Sequence, residues 1–364
     1  MPARHVEHVE MSGLILLPHL LPHVLAAVIG RGATYEIQDI RVGKWPGEPS
    51  HARLEIRAES AAALDRVLAD IHPHGAGPVA AADCAALPAD VAGAFPDGFY
   101  CSTHSRTQVR LGGEWVEVED QERNCGIVLD PEGGAARCVP MAGVAVGDRV
   151  VVGRAGVRVL PSEGSGEKPP AVSVREIAHA MRRTKAAGEK VLAVLGPAVV
   201  RGGGEWIAKM IRDGDIHVLF ADNALATRDI AQALSGTGEG REHRLRAINT
   251  VRRLGGIRAA IEAGTVTSGI LYECATRGVP VVLAGGIGDD GPLPEVVTDT
   301  LAARDAMRAL VPGIGFCLMV AATHGVAAGN LLPAWVRAAC VDTRSDAGSF
   351  LRSLAAELDR EGAA

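Results

Sequence analysis

The hydrophobic positions along the chain change their period twice. Near the start they alternate, at Ile37, Ile40 and Val42 in T34-YEIQDIRVG-43 and at Leu54 and Ile56 in A52-RLEIRAE-59, which predicts half-buried strands. Leu64, Val67, Leu68 and Ile71 instead recur every three to four residues and predict a helix over 61–71. With a strand over 5–14 and a helix over 18–29, the order is β-α-β-β-α. This predicts a small ferredoxin-like α+β unit over residues 1–85, an architecture used for oligomerisation or small-molecule sensing.

From Phe95 to Pro161 turn residues return every eight to twelve positions and separate short strands at 107–111, 115–119, 125–130 and 149–153. They predict a small β-barrel or sandwich over residues 86–161. The following stretch from Pro161 to Ala171, PSEGSGEKPPA, has no apolar periodicity and predicts a linker over 162–172. Beyond it, apolar strands at 190–196, 217–221, 279–285 and 315–321 alternate with amphipathic helices at 174–187, 205–213, 225–234, 249–263 and 294–309. Apolar strands separated by helices predict an α/β, Rossmann-like doubly wound domain over 173–364, its sheet covered on both faces.

Composition narrows the function classes. The 364 residues are 48% hydrophobic, enough for two packed cores, and the net charge of −6 with scattered basic residues argues against a nucleic-acid partner. The apolar stretch L14-ILLPHLLPHVLAAVIG-30 is interrupted by Pro18, His19, Pro22 and His23 and is short for a bilayer, so a buried helix is expected and a membrane partner is not. The first ten residues lack the apolar core of a secretory signal, and a cytoplasmic setting is expected. Seven cysteines without a CxxC pair predict free thiols. His19/His23 and His72/His74 suit helix ends and turns, and no metal site is predicted.

In a doubly wound sheet, ligands bind beyond the carboxyl ends of the strands. L195-GPAVVRGGGEW-206 runs from a strand through Gly202, Gly203 and Gly204 into a helix, a phosphate cradle or a flexible turn. Asp222 closes the next strand and Asn223 follows; either suits ribose hydroxyls, a helix cap, or both. L283-AGGIGDDG-291 matches GxGxxG, but Asp289 and Asp290 repel a diphosphate and prolines 292 and 294 delay the helix. It is better taken as an acidic loop for hydroxyls, an ammonium group or proton transfer.

Taken together, G98-FYCSTHSRTQVR-110, N124-CGIV-128, G196-PAVV-200, N223-ALATRDI-230, S268-GILYEC-274, L283-AGGIGDDGPLPEVVTD-299 and G329-NLLPA-334 resemble one family over nearly the whole chain. It is the ornithine cyclodeaminase family with the lysine-ketoglutarate reductase/saccharopine dehydrogenase conserved region. The resemblance implies an NAD-dependent conversion of L-ornithine to L-proline and ammonia, with a carboxyl-terminal domain similar to that of deoxyhypusine synthase. The chain departs from the family at Asn124, where the resemblance implies aspartate, at Asp222, where it implies glycine, and at Arg201, where it implies histidine.

On this basis Gly202, Gly203, Asp222 and Asn223 are expected to hold NAD, with Asp289 and Asn330 closing over it. Asp290 is expected at the substrate amine, Arg110 at its carboxylate, and Asn124 and Cys125 along the substrate side. Two alternatives stay open: a dehydrogenase or cyclodeaminase acting on another amino acid, and a non-catalytic NAD or amino-acid sensor. A homo-oligomer is expected.

Overall fold

Three sheets organise the described residues. The computed structural model describes residues 5–13, 20–44, 48, 50–79, 82–103, 105–132, 134–160, 173–236, 239–286, 291–322, 329–333, 336–341 and 347–360. The chain divides into two units, residues 1–167 with 332–335 and residues 168–331 with 336–364.

The first unit opens with β1 (His5–Gly13), α1 (Leu20–Gly30), β2 (Thr34–Arg41), β3 (Ser50–Ala58), α2 (Ala61–Ile71) and β4 (Gly77–Pro78). The strands lie in the order β2-β3-β1-β4, every neighbour antiparallel, which is the ferredoxin-like arrangement expected. Along β3, Ser50, Ala52, Leu54, Ile56 and Ala58 are buried and the residues between them are not. Val24 and Val28 of α1 and Val67 and Ile71 of α2 complete that core. The Ser60 hydroxyl starts α2 by accepting the Ala63 amide at 3.1 Å. A bulge between Ile37 and Asp39 explains the three-residue spacing of Ile37 and Ile40: both stand opposite β3 residues of the core face, Leu54 and Ala52, but at this edge of the sheet both are exposed rather than half-buried as expected.

Seven further strands follow: β5 (Ala85–Pro88), β6 (Arg106–Leu111), β7 (Glu114–Glu119), β8 (Gly126–Leu129), β9 (Ala136–Val139), β10 (Arg149–Val152) and β11 (Val157–Leu160). They form one sheet in the order β11-β6-β7-β9-β8-β10-β5, with only β7 and β9 running parallel. The expected linker lies outside the described residues.

The second unit comprises α3 (Val174–Ala186), β12 (Lys190–Leu195), α4 (Val200–Arg212), β13 (Val218–Asp222), α5 (Asn223–Ser235), α6 (Arg241–Leu254), α7 (Ile257–Glu262) and α8 (Ile270–Arg277). It continues with β14 (Val281–Ala284), β15 (Val296–Val297), α9 (Thr300–Arg308), β16 (Ile314–Val320), β17 (Arg337–Val341) and α10 (Ala347–Arg360). All six strands are parallel, ordered β15-β14-β13-β12-β16-β17. Apart from the two-residue β15, this is the Rossmann order, and the winding reverses between β12 and β16. Leu192, Leu219, Phe220 and Leu318 are buried, as a sheet covered on both faces requires.

Some elements differ from expectation. The helix expected over 249–263 is two helices, because Gly255 and Gly256 take φ of 94° and 138° between them. That expected over 294–309 starts only at Thr300, capped by Asp299, after the prolines have led the chain into β15. Among the described residues, no helix is long and apolar enough to cross a membrane.

Candidate functional site

At the switch point between β12 and β16 the backbones meet in a contact that only glycine permits. Gly196, just past β12, donates its amide to the Val320 carbonyl at 3.0 Å, and a Cβ on Gly196 would lie 1.8 Å from the Ala321 carbonyl oxygen. Ala321 itself adopts a left-handed φ of 48°, an uncommon conformation for a residue with a side chain. Strain of this kind concentrates where surrounding structure fixes the backbone for a ligand or a close approach.

From Gly196 a single 3₁₀ turn, Pro197–Val199, leads into α4. That helix is broken at Arg201 (ψ 99°) and Gly202 (φ 82°), so its regular part begins after Gly202. The glycine run is therefore inside the helical element rather than in a free loop. Each glycine has its own cause. Gly202 makes the left-handed step. Gly203 is buried, and a Cβ there would meet the Leu351 side chain of α10 at 2.7 Å. No side chain caps the start of α4 at Val199, and amides at an uncapped helix start are of the kind that binds anions.

Asp222 and Asn223 occupy the end of β13. The Asp222 carboxylate is half-buried and accepts the Leu225 amide at 2.7 Å, capping α5. Asn223 is buried, and its Oδ1 accepts the Leu293 amide at 3.1 Å. That bond and the Arg252 guanidinium on the Pro292 carbonyl (2.7 Å) anchor the far side of the acidic loop. Asp289 and Asp290 lie outside the described residues. Asn330 is half-buried on a helical turn at 329–331.

Nearly two turns along α5, Asp229 is buried and accepts the Ile270 and Leu271 amides, each at 2.9 Å, holding the start of α8. Gly269 must be glycine here, since it has φ 110° and a Cβ would sit 2.8 Å from the carboxylate. Burial pushes the Asp229 carboxyl up to about 6, against the two amides that favour its ionised form. Ile270 in turn approaches Gly204 of α4 to 4.0 Å of the position a Cβ would take. Asp229 thus connects α5, α8 and the glycine turn. Asp229 is not among the residues expected from the sequence, although it breaks an otherwise apolar stripe of Leu225, Ala226 and Ile230.

In the first unit, Asn124 is exposed with φ 62°, and its amide reaches the Ser102 carbonyl at 3.1 Å. Cys125 points the other way. It is 1% exposed, belongs to the core, and its amide donates to the Ser102 hydroxyl at 2.9 Å. The Ser102 hydroxyl donates in turn to the Glu122 carbonyl at 2.6 Å, so Ser102 pins the turn that displays Asn124. Arg110, half-buried on β6, faces Asp83 at 3.7 Å, and Asp83 also accepts the Gly113 amide at 3.0 Å. Asn124 and Cys125 are chain neighbours with opposite environments, and Arg110 already has a carboxylate partner.

Comparison with known proteins agrees with this architecture. Residues 6–105 match the LOR/SDH bifunctional enzyme conserved region, residues 106–173 the first region of the ArgZ-like arginine dihydrolase carboxyl-terminal part, and residues 175–353 its Rossmann fold. The ornithine cyclodeaminase of Methanothermobacter thermautotrophicus is 41% identical, over 93% of this chain and 89% of its own length. The chain belongs to the ornithine cyclodeaminase family with the LOR/SDH region, a family of enzymes. Among solved structures, the apo form of the cyanobacterial arginine dihydrolase ArgZ has a TM-score of 0.88 at 31% identity, covering 100% of this chain and 59% of ArgZ. AgrE of Nostoc, solved as a ternary complex with ornithine and NAD+, has a TM-score of 0.50 at 29% identity, covering 99% of this chain and 58% of AgrE.

Proposed function

We propose that this chain is an NAD-dependent ornithine cyclodeaminase that converts L-ornithine to L-proline and ammonia with no net oxidation. The observation that carries the reading is the Rossmann switch point, where Gly196 meets Ala321 between a glycine turn and a strand-end carboxylate. The ternary complex of AgrE with ornithine and NAD+ supports it.

The residues present suit a dinucleotide. Gly202 and Gly203 bring helix amides to the β12 end for the pyrophosphate. Asp222 stands at the end of the second strand, where a carboxylate accepts from ribose hydroxyls and disfavours a 2′-phosphate, hence NAD rather than NADP. Asn223 holds the far end of the acidic loop through Leu293, and on this reading Asp289 and Asn330 serve the cofactor side. NAD, when bound, supplies a reversible hydride acceptor.

The chain's other residues act on the substrate. Asp290 takes and returns the amine proton, and Arg110, oriented by Asp83, attracts the α-carboxylate. Asn124 stands on the substrate side, with Cys125 packed beneath it as part of the turn's support. An imine exposed to water hydrolyses, so the site must exclude water while the δ-amine displaces ammonia.

The test is a product assay with ornithine and NAD. Proline and ammonia in equal amounts, with no accumulating NADH, support the proposal. Stoichiometric NADH would identify a dehydrogenase, and tight ligand binding without product across a panel of diamino acids would identify a sensor.

A further inference from the structure

We propose that the outer edge of β2 joins two copies of this chain, its strands antiparallel about a dyad between Gln38 and Asp39. Among the described residues β2 pairs only with β3, so its other edge offers unpaired backbone groups. Edges of this kind are normally guarded by lysine, proline or inward charge. Here the strand carries Ile37 and Ile40, 43% and 44% exposed, with Val42 just beyond at 57%. Three large aliphatic side chains on one short edge form a surface that association would cover.

The occupant follows from the order of residues. With the dyad between Gln38 and Asp39, Ile37 stands opposite the partner's Ile40, Glu36 opposite the partner's Arg41, and Tyr35 opposite the partner's Val42. Apolar groups then meet apolar groups and acid meets base, twice over by symmetry. Sliding the partner by one residue sets Ile37 against Asp39 or against Arg41, so a single register is favoured. Glu36 and Arg41 are available at the surface, their side chains 61% and 80% exposed despite ion pairs with Arg57 and Asp39. The bulge at Gln38, which would spoil pairing with an unrelated strand, lies on the dyad, so both strands bend alike where they face each other. Joining them would extend two four-stranded sheets into one of eight strands.

Sedimentation velocity of the full chain tests this. The wild type should associate through a dyad, and Ile40→Lys should weaken that association at least about tenfold, equivalent to about 1.4 kcal/mol. Glu36→Arg and Arg41→Glu should each weaken it, whereas the double variant E36R/R41E should recover it. Circular dichroism should show all variants folded, because the altered side chains are exposed. A monomeric wild type at every concentration tested, association indifferent to Ile40→Lys, or charge swaps that fail to compensate would overturn the proposal.

Discussion

The carboxylate of Asp229 receives the amide of Ile270 at 2.9 Å, and its second oxygen does the same for the next amide of the chain. A helix start normally takes its cap from the residue just before it. Here that residue is Gly269, without a side chain, and the cap comes from 40 residues earlier, nearly two turns into α5. The two segments thereby form one unit beside the glycine turn.

Replacing Asp229 with Asn should cost about 1–3 kcal/mol, since the amide group keeps one acceptor and sets a donor against a buried backbone N–H. Equilibrium urea unfolding measures this. The pH dependence has a defined sign. Burial raises the folded-state pKa from 3.8 to about 6, so native protein binds this proton more tightly than unfolded chain. The contribution of Asp229 is thus largest below about 4 and is lost as pH rises through about 6, on the order of 3 kcal/mol. The stability difference between wild type and Asp229→Asn should fall over that interval and then level off.

His72 should behave oppositely. It is buried, contacts the Tyr100 hydroxyl at 3.2 Å, and is pushed down from 6.5 to about 4 by burial and by Arg154. A depressed histidine pKa contributes stability above about 6.5 that is lost as pH falls through about 4. His72→Phe should remove that slope, again on the order of 3 kcal/mol, as read from urea midpoints across the same interval.

Gly196→Ala should destabilise the second unit by roughly 1–3 kcal/mol or more, because the new methyl group meets backbone rather than a side chain able to move. NAD affinity should fall with it, as calorimetric titration of the folded variant would show. Unchanged affinity would separate the strand-end contact from cofactor binding.

Asn124→Gly distinguishes a backbone role from a substrate role. Glycine accepts the φ of 62° readily, so the melting temperature should hold or rise slightly. If the side chain meets substrate, kcat/KM for ornithine should drop at least tenfold, a loss of about 1.4 kcal/mol of transition-state binding. An unchanged kcat/KM would assign Asn124 to the turn alone.

The fold is legible where one periodicity runs uninterrupted, as in α2 or β12. It is less so where glycine or proline acts: Gly255 and Gly256 divide a stripe that reads as one helix, and Pro294 delays α9. Neither β17 nor α10 is expected from the sequence. The short R337-AACV-341 gives little alternation to recognise, and the helix that backs the glycine turn is identified by its packing on Gly203.

The site is legible as loops but not as contacts. Asp222 and Asn223 stand out as polar residues at a strand end, yet nothing in their spacing reveals that Asn223 bonds Leu293, 70 residues away. Cys125 and Asn124 look alike as a candidate pair, and only burial separates the core thiol from the exposed amide.

In the redox-neutral cycle we propose, the α-hydrogen of ornithine leaves as hydride and returns to the same carbon of the product. Mass spectrometry and NMR of proline formed from α-deuterated ornithine test it directly. Deuterium is expected to remain at the α-carbon of proline, with no label in free NADH. Loss of the label to water, or its appearance in released NADH, would contradict it.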